Sequence, residues 1–137
     1  MASHRASCQC GSLVLEADVD PDMVSVCNCR ACQKRSGSPF GVGAFFRKDA
    51  VTITGARQSW VRRAASGREI QNQICPTCGT TLCWSGEMRP DHIGVPVGVL
   101  DTIVQEPARA VWASKKHPWV SFPADWPTYP ENAPQRP

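Results

Sequence analysis

Residues 27–32 read Cys27-Asn28-Cys29-Arg30-Ala31-Cys32 and place three thiols within six positions. Two further cysteine pairs lie far away in the chain, where residues 8–11 read CQCG and residues 75–79 read CPTCG. Clustered thiols at such short spacings are typical of metal sites, because one tight turn then presents two thiolates to the same ion. A fold in which separate clusters bind the same metal ion must bring distant segments together. The cysteines therefore constrain the architecture more than any other feature.

A disulfide framework is the alternative explanation for eight cysteines, and it is typical of small secreted proteins. Three features oppose it here: seven of the cysteines are clustered, 137 residues are enough for a hydrophobic core, and the N-terminal MASHRASCQCGS has no apolar signal-peptide region. Thiols in the cytosol stay reduced. We therefore expect a cytoplasmic protein whose cysteines bind metal.

The first predicted metal site combines the two outer pairs, which supply four thiolates. A tetrahedral zinc ion bound by four cysteines is the usual closed, structural arrangement, and it contributes directly to folding. Gly11 and Gly79 follow the two pairs and provide the permissive backbone that such knuckles need. A thioredoxin-type redox role for the CPTC pair needs a following helix, whereas TTLCW is strand-like. The expected ligands of this structural zinc are Cys8, Cys10, Cys75 and Cys78.

The second predicted metal site is the CNCRAC segment, in which Cys27, Cys29 and Cys32 supply three thiolates. Three protein ligands leave one tetrahedral position for water or substrate, which is the arrangement of catalytic zinc. Two alternatives remain open: Cys83 closes the site as a fourth ligand, or the site loses its metal. Three cations stand beside the thiolates, and we expect them to offset negative charge or to bind an anionic substrate: Arg30, Lys34 and Arg35.

Short strands dominate the predicted secondary structure. Alternation of Leu13, Leu15 and Ala17 with polar or exposed neighbours indicates a half-buried strand over residues 12–18. Further strands are expected at 23–26, 40–46, 51–54, 58–62, 69–74, 81–84, 93–100 and 109–113, and turn signals separate them. Only residues 30–36, ending at Gly37, look helical. The pattern predicts a mainly β fold of antiparallel sheets, pinned by zinc and containing little helix.

The chain is expected to form a single zinc-binding β domain over residues 1–137, and residues 117–137 form its distinct end. This segment holds six of the twelve prolines together with Trp119, Phe122, Trp126 and Tyr129. Proline at this density prevents helix and central strand, so the segment is predicted to be an extended strap packed on the sheets. A sharper interpretation is that one of its aromatic side chains lines a ligand pocket.

Composition excludes several classes of protein. The chain is 42% hydrophobic and 20% charged, which is typical of a globular protein. No apolar run approaches the length of a membrane span, so we expect no transmembrane helix. The net charge of +3 is too small to predict a nucleic-acid partner by itself.

Together the motifs CQCGSL, CNCRACQKRSGSPF and CPTCGTTLCW resemble the glutathione-dependent formaldehyde-activating enzyme family, which includes centromere-protein-V-like proteins. The segment Val95–Asp101 resembles the family's VxxGxLD motif, and Lys116–Val120 with Trp126–Glu131 resembles its C-terminal tail. The resemblance covers about residues 7–131. It implies a β-tent fold and two zinc ions per chain, with the ligand sets named above and the three-cysteine site open to a thiol. It also implies a carbon–sulfur lyase that condenses formaldehyde with glutathione or a similar small thiol.

A non-catalytic, zinc-stabilised module that binds a partner or nucleic acid is the alternative function. Its expected surface is the segment 57–68, which carries four arginines and Trp60. His4, His92 and His117 are further candidate ligands, although a single histidine is more often a structural or surface residue. His117 is the best placed of the three because it starts the aromatic tail.

Overall fold

The computed structural model of the chain describes residues 3–134 and is mostly β, as predicted. Within this range lie ten strands, one α-helix and three short 3₁₀ helices. The strands are β1 His4–Ser7, β2 Val14–Ala17, β3 Met23–Cys27, β4 Gly41–Arg47, β5 Val51–Thr54, β6 Gln58–Arg63, β7 Glu69–Ile74, β8 Thr81–Gly86, β9 His92–Pro96 and β10 Arg109–Val111. The helix α1 spans Arg30–Ser36, and the 3₁₀ helices span Lys48–Ala50, Val97–Val99 and Ala113–Lys115. No helix in the described range is long and apolar enough to cross a bilayer.

The chain divides into two compact units, each made of two segments. The first unit is Met1–Asp22 with Ala44–Val104, and the second is Met23–Gly43 with Gln105–Pro137. Each unit contains one of the predicted cysteine sets in full: the outer pairs lie in the first and the CNCRAC segment lies in the second. The two candidate metal sites therefore belong to separate units.

In the first unit, β1, β2 and β5 form a three-stranded antiparallel sheet. The predicted alternation of β2 is confirmed, because Leu13, Leu15 and Ala17 are fully buried while Glu16 and Asp18 are exposed. Phe46 is the largest fully buried side chain of the unit. The antiparallel strands β9, β8, β7 and β6 are successive hydrogen-bonded neighbours, and β6 lies at the edge.

In the second unit, β3 pairs in parallel with β10, so that Val26 lies opposite Ala110 and Cys27 opposite Val111. The helix α1 follows β3 after two residues. It ends as predicted at Gly37, whose φ of 67° lets its N–H bond the carbonyl of Gln33. The three cysteines of the CNCRAC segment lie at this junction: Cys27 ends β3, Cys29 is in the connection and Cys32 is in α1.

The C-terminal segment contains no regular strand within the described residues, and it pairs with β10. Thr128 forms a parallel bridge with Ala110, whose amide donates to the carbonyl of Pro127 and whose carbonyl accepts from Tyr129. Phe122 packs edge-on against Phe40 and stacks on Trp126. Residues 135–137 of the predicted strap lie outside the described residues.

Several strand bounds differ from the sequence-based prediction by one or two residues, and two differences are larger. The strand expected over residues 93–100 stops at Pro96 and continues as a 3₁₀ helix, because proline has no amide to extend the ladder. The strand β1 was not predicted, because its sequence HRAS contains no β-branched residue. His4 and Ala6 are nevertheless buried, and the pairing with β2 stabilises the strand.

Candidate metal centres

The two outer cysteine pairs meet in the first unit. The four sulfur atoms of Cys8, Cys10, Cys75 and Cys78 all lie within 4.8 Å of one another. The Cys10 sulfur is 3.6 Å from that of Cys8 and 3.7 Å from that of Cys75. A tetrahedral zinc with bonds of about 2.3 Å separates its sulfur ligands by about 3.8 Å. The donor set and its spacing therefore fit zinc.

Both pairs are presented by turns that end in a glycine with a positive φ. Gly11 and Gly79 have φ values of 84° and 78°, which L-residues with a Cβ rarely adopt, so the predicted role of the two glycines is confirmed. The Gly11 amide donates to the carbonyl of Cys8, and the Gly79 amide donates to the carbonyl of Cys75. The two knuckles thus bring four thiols from opposite parts of the sequence to one point.

Two hydroxyl residues that the sequence analysis missed support these thiols. Ser12 lies 3.1 Å from the Cys10 sulfur and 3.4 Å from that of Cys75, and Thr80 lies 3.2 Å from that of Cys78. The Ser12 hydroxyl lowers the pKa of Cys75 to about 7, and the Thr80 hydroxyl lowers that of Cys78 to about 5. The signal was present in the sequence, because each knuckle reads Cys-Gly followed by serine or threonine.

Gly55 supports the first knuckle through a close backbone approach. A Cβ at this position would lie 2.2 Å from the Ser12 carbonyl oxygen, and the φ of 115° is itself unfavourable for other residues. We expect Gly55→Ala to lower the free energy of unfolding by about 3 kcal/mol or more, since strain and overpacking add. Displacement of Ser12 should also weaken zinc binding by the first site. Denaturant unfolding and competition with a zinc chelator measure the two effects.

Gly67→Ala is the matched control for this variant. Gly67 has a φ of 85°, yet a Cβ there meets no atom within 4 Å. The Gly67→Ala substitution should lower the free energy of unfolding by about 1 kcal/mol, because it introduces only left-handed backbone strain. Zinc binding should be unchanged. Equal losses in the two variants would contradict the role given to the Ser12 contact.

The CNCRAC segment brings three sulfurs together in the second unit. Those of Cys27, Cys29 and Cys32 lie within 4.8 Å of one another, and all three residues are half-buried. Among the described residues, no fourth cysteine, histidine or carboxylate belongs to this group. The donors fit a zinc ion with three protein ligands and one remaining position.

The local structure of this segment is held by side chains on both sides of Cys29. Cys29 caps α1, and its sulfur accepts from the Cys32 amide at 3.4 Å. Asn28 is fully buried, and its side-chain amide donates to the Val111 carbonyl at 2.9 Å. Gln33 donates through Nε2 to the carbonyls of Asn28 at 2.7 Å and Lys115 at 3.1 Å. These hydrogen bonds connect the three-cysteine loop to Val111 of β10 and to Lys115, which follows β10 in the chain.

Two of the three thiols, Cys27 and Cys32, have raised pKa values. Hydrogen bonds from Cys29 and Cys32, followed by burial, raise the pKa of Cys27 far above its ordinary value. A hydrogen bond with Cys27 lowers the pKa of Cys32, but the hydrogen bond and charge of Cys29 together with burial outweigh it, so that this pKa is also raised; the positive charge of Arg35 opposes the rise. Three adjacent half-buried thiolates need a cation to compensate their charge. The chemistry of the cluster is thus that of a metal-binding site.

The structure separates the three cations proposed as substrate-binding residues. Arg35 acts electrostatically on the Cys32 thiol. Arg30 and Lys34 instead line an open cavity of about 320 Å³ on another face of α1, together with His117 and Trp119. Trp119 is the aromatic residue of the C-terminal segment that lines this cavity.

The remaining candidate ligands have other partners. His4 bonds Thr102 at 2.6 Å and Asp20 at 2.7 Å, and His92 bonds Asp22 at 2.7 Å. Cys83 is buried in β8, and burial raises its pKa to about 12. Neither these histidines, nor His117, nor Cys83 joins a cysteine group in the described part of the chain.

Comparison with known proteins agrees with the cysteine motifs. The sequence profile of the family "Glutathione-dependent formaldehyde-activating enzyme" matches residues 3–121. A Penicillium rubens protein that carries this family's name provisionally is 30% identical over 93 residues, which are 66% of this chain. The chain spans about half of that relative, 47% of its length.

A solved structure shares the fold. The crystal structure of a Rhodobacter sphaeroides protein matches with a TM-score of 0.57 at 20% identity, covering 72% of this chain and 89% of that one. The profile match confirms the resemblance predicted from the cysteine motifs. The chain belongs to the glutathione-dependent formaldehyde-activating enzyme family.

Proposed function

We propose that this chain is a zinc-dependent carbon–sulfur lyase acting on the adduct of formaldehyde with glutathione or a similar thiol. The catalytic zinc ligands are Cys27, Cys29 and Cys32, and the structural zinc ligands are Cys8, Cys10, Cys75 and Cys78. The observation that carries the proposal is the contrast between the two groups: four sulfurs in one and three in the other. Family membership and the name of the Penicillium rubens relative support the substrate.

The reaction requires no redox step. In the forward direction the thiol loses its proton, a bond forms between sulfur and the aldehyde carbon, and the aldehyde oxygen gains a proton. A bound zinc ion would lower the pKa of a thiol ligand and would polarise the aldehyde oxygen. Cleavage of the adduct is the same reaction reversed.

The chain's own residues supply the remaining requirements. Asn28 and Gln33 hold the three-cysteine loop in one conformation through their hydrogen bonds to Val111 and Lys115. The positive charge of Arg35 favours the thiolate form of Cys32. Such preorganisation lets a reacting group bind without a rearrangement of the loop.

Exchange NMR with formaldehyde and glutathione tests the proposal. The zinc-loaded protein should accelerate interconversion between free formaldehyde and the adduct, and prior chelation of the second zinc should abolish the acceleration. The total zinc content is measured on the same sample. An unchanged exchange rate with two zinc ions bound would exclude this substrate pair.

A non-catalytic binding module is the second candidate, favoured by the exposed edge strand β6. Trp60 and Val61 on this strand are 57% and 48% exposed, and Arg62 and Arg63 follow them. Such a surface predicts a partner whose binding weakens as salt rises. A salt-sensitive complex formed by a protein without exchange activity would favour this candidate over the lyase.

A further inference from the structure

The open cavity of the second unit has chemistry of its own. Arg30, Gln33, Lys34 and Gly37 lie on one face of α1, at the three- and four-residue spacing of successive helical turns. The cavity measures about 320 Å³, and its other lining residues are Ser38, Pro39, His117 and Trp119. None of these eight residues is acidic, and the thiols are not part of the lining.

Gln33 organises the cavity without offering it a free polar group. The residue is 5% exposed, and both hydrogens on Nε2 are directed to backbone carbonyls. Its Oε1 accepts from Arg30 Nη1 and lies 3.1 Å from His117 Nε2. A carbonyl oxygen only accepts, so His117 Nε2 carries a hydrogen in this contact. Gln33 thus positions one cation and one imidazole at the cavity.

The charge of the second unit is strongly positive. Its described residues include six lysines and arginines against three acidic side chains, whereas the first unit has nearly balanced charge. No acidic group lies within 4.0 Å of Arg30 or Lys34 among the described ion pairs. Two uncompensated cations on one wall favour an anion.

Trp119 provides the apolar part of the cavity. It is 72% exposed, and its ring lies 5.6 Å from that of His117. An exposed indole at the rim offers contact area to a carbon framework. Inorganic anions gain nothing from such a surface, whereas an organic anion can place its carbon framework against it.

We propose that this cavity is a binding site for an organic carboxylate, held by Arg30 and Lys34 with its carbon framework against Trp119. The site is additional to the metal centre, and its occupancy does not depend on the lyase reaction. The carboxylate has two possible sources: a free metabolite, or the carboxylate group of the thiol that the metal centre binds.

NMR titration of the zinc-loaded protein with glutarate tests the site, because glutarate has carboxylates but neither a thiol nor an amine. Saturable shifts are expected for the Trp119 indole N–H, assigned with Trp119→Phe, and for residues 30–38. Glutaramide, the neutral analogue, should produce no saturable shift. Equal effects of the two compounds would overturn the proposal.

A matched pair of variants locates the charge. Lys34→Gln should weaken glutarate binding about fivefold, as expected for loss of one exposed charged contact. Lys48→Gln removes the same charge from an exposed position in the first unit and should leave the affinity unchanged. Equal affinities of the two variants would exclude this cavity as the site.

S-methylglutathione separates the two sources, because it carries carboxylates and its sulfur is blocked. Competition with glutarate for the same resonances supports the site and identifies the thiol's carboxylate as its ligand. Glutarate binding without competition supports the site with a free carboxylate as ligand. The titration needs no turnover, so absence of lyase activity and absence of this site are distinguishable results.

Discussion

Cys75→Ser is expected to make the protein insoluble or to lower its melting temperature far below that of the wild type. Cys75 is fully buried, and its sulfur lies 3.7 Å from that of Cys10, which is 65 residues away in sequence. Loss of one thiolate breaks the connection between these segments. Zinc-coupled folding is worth about 10 kcal/mol in small zinc domains, as much as the whole stability of an ordinary domain. Solubility, zinc content and thermal unfolding are the measurements.

Cys83→Ser is the control for this variant. Cys83 is 1% exposed and belongs to neither sulfur group, so the same change there costs only the burial of a hydroxyl. That cost is about 1–3 kcal/mol. Cys83→Ser should remain folded with both zinc ions bound. If the Cys75→Ser protein were as stable as the Cys83→Ser protein, the first metal site would contribute little to folding.

The parts of the fold that are encoded locally were predictable from sequence. The helix over residues 30–36 has its cap at Cys29 and its stop at Gly37, so its bounds follow from neighbouring residues. The two knuckles are likewise local, because a positive φ after each cysteine pair needs glycine. The alternating residue pattern of β2 also indicates directly which of its side chains are buried.

Features that depend on distant partners were not predictable in this way. The strand β1 forms because β2 pairs with it, and its own residues favour no particular structure. The helical period places Arg35 on a different face from Arg30 and Lys34, but only the structure brings His117 to Gln33, 84 residues away. The cavity therefore required the tertiary contacts of the tail.

Cys29→Ser is expected to give a folded, soluble protein with about one zinc ion per chain and no thiol–aldehyde activity. The three ligands of the second site lie within six residues, so their zinc closes a short loop and restricts little unfolded-chain entropy. Serine is also a favoured helix cap, so α1 should keep its first turn after the exchange. Zinc stoichiometry, the cooperative melting transition and exchange NMR test the three expectations.

Cys29→Ala separates the ligand from the cap at the same position. It removes the metal ligand and also the side chain that accepts from the Cys32 amide, so it should be less stable than Cys29→Ser by about 1 kcal/mol. Both variants should lack activity, because each leaves only two thiolates from Cys27 and Cys32. Unfolding of Cys29→Ser as severe as that of Cys75→Ser would make the second site structural. The lyase proposal would then lose the open three-thiolate centre on which it rests.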